Sequence, residues 1–147
     1  MSDKVVFIKG SVVVDDRGQL LFCNDFDMAK IRRFYIVSNH SARFIRAWHG
    51  HKKERKFVFV LSGTALVAAV KIDNWKHPSK GLLVHRHVLS DQKPGILAIP
   101  PGYVNGFMTL EPDTKVLFFS TSTLEETKGD DYRYDARYWN PWEIVER

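Results

Sequence analysis

Apolar positions gather in short runs rich in β-branched and aromatic residues, and strand signals dominate the chain. Runs at 5–8, 11–14, 20–23, 33–38, 44–48, 56–61, 64–72, 82–89, 95–99, 106–110 and 115–121 each predict a strand. Turn chemistry separates them, as at Asp16-Arg17-Gly18, Ser62-Gly63, Lys80-Gly81, Lys93-Pro94-Gly95, Pro100-Pro101-Gly102 and Glu111-Pro112-Asp113. Helix signals are confined to a turn at 27–32, with Asp25 or Asp27 as N-cap, and another at 124–128. Residues 130–142 mix aromatic and charged side chains and read as an irregular segment packed across the strands. This many short strands predict an all-β sandwich or barrel, and a double-sheet jelly roll accommodates them best.

Composition adds bounds. A chain of 147 residues, 44% apolar and 27% charged, reads as one globular domain spanning 1–147, with a core that needs no disulfide or metal. No apolar run approaches the roughly 18 to 20 residues of a membrane span, and residues 1–10 lack a signal-peptide pattern, so the expectation is a cytoplasmic protein without membrane contact. Cys23 stands alone and reads as a small core residue. The formal charge of +5 favours an anionic partner. The densest basic cluster, His51-Lys52-Lys53-Glu54-Arg55-Lys56, lies between strands rather than in a tail, which argues against nucleic acid.

The stretch Arg46-Ala47-Trp48-His49-Gly50-His51-Lys52-Lys53-Glu54 carries the strongest chemical signal. Two histidines two residues apart on an extended segment face the same way, and Gly50 leaves the opposite face uncrowded. With Glu54 the pattern also resembles the first metal-binding motif of cupins, two imidazoles and a carboxylate. The second cupin motif ends in histidine, and here the matching stretch from Gly95 ends in Asn105. An amide at that place favours a metal-free pocket in which the histidines move protons.

Those segments resemble two related families of metal-free cupins, the nucleotide-sugar 3,4-ketoisomerases and the dTDP-4-keto-6-deoxyhexose 3,5-epimerases. Ile31-Arg32-Arg33-Phe34-Tyr35 and Arg46 to Lys53 look like the ketoisomerase segments; Asp16-Arg17-Gly18, Ile99 to Phe107 and Asp131-Tyr132-Arg133-Tyr134 look like the epimerases. The resemblance implies an RmlC-like cupin, a double-stranded β-helix jelly roll, that needs no cofactor and binds a dTDP-sugar or other nucleotide sugar. It implies His49 as the base beside a ketone, His51 as proton shuttle, Lys56 as the cation on the enolate oxygen, and Arg46 and Arg17 as diphosphate ligands, with Arg33 a third. Cupins of this size pair through edge strands, which predicts a homodimer.

The departures are informative. Phe118 stands where the epimerases return a proton from a tyrosine, so Tyr35 or Tyr103 would have to supply the acid, and Asn105 replaces their pocket histidine. Two histidines on one side suit a 3,4-ketoisomerase, which reprotonates the neighbouring carbon, in deoxysugar or surface-polysaccharide synthesis such as that of O-antigen. A 3- or 3,5-epimerase is the alternative, and a non-catalytic sugar-nucleotide-binding cupin the alternative of another class.

Overall fold

The computed structural model describes residues 2–147. Twelve strands run in chain order as β1 (Val6–Lys9), β2 (Ser11–Asp15), β3 (Gly18–Phe22), β4 (Arg33–Ser38), β5 (Ile45–His51), β6 (Lys56–Ser62), β7 (Thr64–Lys71), β8 (Val84–Ser90), β9 (Gly95–Ile99), β10 (Tyr103–Thr109), β11 (Lys115–Ser120) and β12 (Tyr132–Arg133), with the helix α1 (Leu124–Lys128) before the last. Two five-stranded antiparallel sheets form, ordered β1-β9-β6-β11-β4 and β12-β5-β10-β7-β8, and β2 and β3 make a separate hairpin. This is the cupin-type jelly roll the strand spacing implied.

The inner faces of the two sheets meet in a core of Val58, Val60, Val67, Leu97, Phe107, Val116 and Phe118. β10 is buried on both faces because its outward residues Val104 and Met108 pack with Trp48, Trp139 and Trp142. The 130–142 segment therefore lies across the outer face of the second sheet. Trp48 Nε1 donates to the Trp139 carbonyl at 3.2 Å, and Trp139 and Trp142 are core residues. A smaller cluster of Phe57, Ile96 and Ala98, with Cys23 and Phe26 against it, covers the other sheet.

Local signals explain most of the elements. Thr123 caps α1 in a reciprocal pair with Glu126, as its sequence spacing requires. The turn at 27–32 is not helical: the Asp27 side chain accepts from the Ala29 amide at 2.9 Å and only Ile31 closes a turn, onto the Met28 carbonyl. An Asx turn has taken the donor a helix would have used. Arg86 donates to the Pro141 and Glu143 carbonyls and ties down the tail.

Candidate active site

Between the two sheets lies a cavity of about 250 Å³ lined by side chains of both. β5, β10 and β12 contribute one wall. Here Asn105 and Arg133 flank His49 as its cross-strand neighbours, so the three side chains project together. Arg46 should face away from His49 by simple alternation, yet it lines the same cavity. The pairing shows why: β10 advances two residues from Asn105 to Phe107 while β5 advances three from His49 to Arg46, a bulge that restores Arg46 to the inner face. Gly106 sits opposite the bulge, where a Cβ would lie 2.4 Å from that of Ala47.

The facing wall comes from β4, β6 and β11. Tyr35 and Phe118 are cross-strand partners whose rings stack at 5.1 Å and 10°. Lys56 Nζ donates to the Tyr35 hydroxyl at 2.5 Å and lies 5.0 Å from its ring centre. Burial pulls the Lys56 ammonium below its ordinary value while Glu54 opposes that, and burial with the Glu54 charge pushes the Tyr35 phenol up. The phenol is therefore a proton carrier at neutral pH.

His51 is 4% exposed, and its Nδ1 lies 2.5 Å from the Asp130 carbonyl and 3.1 Å from Glu54 Oε2. Both neighbours only accept at this position, so Nδ1 carries the proton and Nε2 keeps its lone pair. Asp130 fixes the turn as well, its carboxylate accepting the consecutive amides of Lys52, Lys53 and Glu54 at 2.7, 2.8 and 3.1 Å. Burial, then the charge of Arg133, lowers His49 from 6.5 to about 4, so it is a neutral base at pH 7.

That shift has a consequence for stability. The unfolded chain takes up the proton near 6.5 and the folded one only near 4, so the contribution is whole above 6.5 and is lost as pH falls towards 4. His51, also lowered chiefly by burial, acts in the same direction. Thermal melts from pH 7.5 to 4 should show Tm falling most below 6.5, with a shallower fall in His49→Asn; equal slopes would refute the assignment.

Gly50 contradicts its sequence reading. Its outer face is crowded, since a Cβ there would lie 2.6 Å from Val104 Cγ1 and 2.7 Å from Trp75 Cζ3. Only glycine lets the tail and Trp75 close over β5. Gly50→Ala should cost about 2 kcal/mol in chemical denaturation by overpacking, and a change under 0.5 kcal/mol would show that the aromatic layer yields.

The cavity gathers Arg33, Tyr35, Arg46, His49, His51, Lys56, Asn105 and Phe118. It omits two expected residues. Tyr103 pairs with His51 across the sheet, but its side chain lines a separate depression with Leu82 and His85 rather than the cavity of the histidines. Arg17 sits on the exposed β2–β3 hairpin, bound to Asp15 at 2.6 Å, and does not reach this chain's cavity. Thr127, Asp131 and Arg133 line it without having been expected in that role. The tail pattern around Asp131 was the available signal for the last two. Glu54, which had a role only in the disfavoured metal-binding resemblance, contacts Arg33, Lys56 and His51. Among the described residues, no three His, Cys, Asp or Glu side chains converge as a metal-binding group.

Solved structures share this fold. The dTDP-4-dehydrorhamnose 3,5-epimerase of Bacillus anthracis aligns at TM-score 0.76 and 19% identity, over 97% of this chain and 86% of that one. A point variant of the 3,4-ketoisomerase QdtA from Thermoanaerobacterium thermosaccharolyticum, in complex with TDP-4-keto-6-deoxyglucose, aligns at 0.68 and 20%, over 94% and 93%. The WlaRB TDP-quinovose 3,4-ketoisomerase of Campylobacter jejuni aligns at 0.67 and 16%, over 93% and 98%. No curated protein matches the sequence. The profile of the dTDP-4-dehydrorhamnose 3,5-epimerases matches residues 2–143, nearly the whole chain, and the chain belongs to that family of dTDP-sugar isomerases.

Proposed function

We propose that this chain is a 3,4-ketoisomerase of a dTDP-4-keto-6-deoxyhexose, acting in deoxysugar or surface-polysaccharide synthesis. The observation that carries the reading is the division of the cavity: two neutral imidazoles on one wall, and across from them a Tyr35–Lys56 pair beside Phe118, which has no proton to give. His49 removes the proton from C3, and the C4 carbonyl becomes an enolate oxygen held by the Lys56 ammonium. Tyr35 donates to that oxygen and recovers a proton from the C3 hydroxyl. His51, beside His49 on the same wall, takes over the proton, which exchanges with solvent on the imidazoles, and delivers it to C4 as C3 becomes the ketone. Arg33, Arg46 and Arg133 supply fixed positive charge for the diphosphate, with Arg46 oriented by Asn39 at 2.7 Å.

Residues 1–147 act as a single domain in this reading, in the cytoplasm, and pair as a homodimer. The β2–β3 hairpin supports pairing: Val13, Val14 and Leu20 are 51%, 72% and 63% exposed on it, and a second copy would cover them and receive Arg17. Sedimentation at micromolar concentration tests that step, and a monomer would refute it.

Proton NMR of dTDP-4-keto-6-deoxyglucose in deuterated buffer tests the chemistry. A 3-keto product carrying deuterium at C4 is expected. One observation favours a second reading: Tyr35 faces the histidines from the other sheet, the two-sided arrangement a 3-epimerase needs. Exchange at C3 or C5 with the 4-ketone retained would establish it, and no exchange with any 4-keto nucleotide sugar would leave a binding protein.

A further inference from the structure

We propose that Glu54 is a positioning residue, whose buried carboxylate orients His51 and secures Lys56 and Arg33 as cations of the cavity. This rests on the isomerase reading above.

Glu54 lies in the turn between β5 and β6, its side chain wholly buried. Its Oε1 lies 3.5 Å from an Arg33 nitrogen and 3.8 Å from Lys56 Nζ, and Ser120 donates its hydroxyl to the same oxygen. Its Oε2 lies 3.1 Å from His51 Nδ1. One carboxylate thus meets basic groups from β4, β5 and β6. A buried carboxylate is costly unless it is paired, and Arg33 and Lys56 supply that pairing.

Two consequences bear on the reaction. The Asp130 carbonyl holds the proton on Nδ1 of His51, and the Glu54 charge 3.1 Å away favours the same form without a hydrogen bond of its own, leaving Nε2, which has no protein partner among the described residues, as the acceptor in the cavity. The contact at Oε1 steadies the Lys56 ammonium, which must be charged to hold an oxyanion. The groups facing this network are Arg33 and Tyr35 on β4, His49 and His51 on β5, Lys56 on β6, and Asp130, Asp131 and Arg133 on the tail. Among the described residues Glu54 is the one carboxylate in contact with Lys56.

The test is Glu54→Gln, which keeps the shape and removes the charge, with histidine side-chain nitrogen NMR alongside kinetics. We expect kcat to fall about 10²-fold with KM little changed, the alkaline limb of the kcat profile to move to lower pH, and partial recovery in Glu54→Asp. The His51 nitrogens should keep the Nδ1–H form held by the Asp130 carbonyl while their shifts move with the loss of the adjacent charge. A folded Glu54→Gln with kcat within twofold of wild type and unchanged His51 shifts would overturn the proposal. Should Glu54→Gln not fold, Ser120→Ala keeps the carboxylate but removes its hydroxyl donor; a several-fold loss of kcat supports the role, and none overturns it. If wild type turns over no 4-keto nucleotide sugar, the functional reading fails separately, and the His51 shifts in Glu54→Gln still decide this one.

Discussion

His49→Asn should abolish most turnover, lowering kcat/KM for the 4-keto nucleotide sugar by about 10³-fold, within the range a positioned general base supplies. An amide occupies nearly the imidazole's space, so Arg133, Asn105 and the β5 backbone can stay in register and the fold should survive. Burial has already made His49 neutral at pH 7, so the wild-type base needs no deprotonation before it acts. The loss should appear in deuterium exchange at C3 as well as in product formation, because the base acts before any partition of the enolate. His51→Asn separates the two roles: a shuttle that acts after proton removal leaves exchange at C3 largely intact while the 3-keto product disappears. Exchange at C3 within tenfold of wild type in His49→Asn, with loss only in His51→Asn, would exchange their assignments.

Much of the fold was legible because its signals are local. β-Branched runs broken by Gly, Pro and Asp turns specify strands one at a time, and Thr123 with Glu126 specifies its cap. The paired histidines were legible for the same reason, since alternation on β5 needs no knowledge of the partner strand. Four features depend on distant parts of the chain. Arg46 reaches the cavity through a bulge seen only once β5 is aligned with β10. Tyr103 shares a face with His51, yet neighbours from the 82–85 region place its side chain in another depression. Arg133 acquires its place beside His49 only when the tail adds β12 to the sheet, although it follows the strand before it by more than ten residues. The role of Glu54 was not legible because an acid after His-x-His can ligate a metal or pair with buried cations, and the choice depends on Arg33, Lys56 and Ser120 from β4, β6 and β11.

Lys56→Met carries the other large effect. Methionine keeps the length and apolar volume of the side chain while removing the one ammonium that touches Tyr35, so kcat should fall about 10²- to 10³-fold, the cost of losing a principal oxyanion donor. Stability should change less, because desolvation already opposed the ammonium and Glu54 keeps Arg33 and the Ser120 hydroxyl as partners. The distinguishing measurement is again exchange at C3. Lys56 stabilises the enolate itself, so Lys56→Met should suppress exchange and product together, whereas Tyr35→Phe, which leaves the ammonium in place, should let C3 exchange while the oxygen-to-oxygen proton transfer stalls. If Lys56→Met kept exchange and lost only product, the cation would belong to the later step, and the enolate oxygen would have to lie nearer Arg33 or Asn105, which line the same cavity.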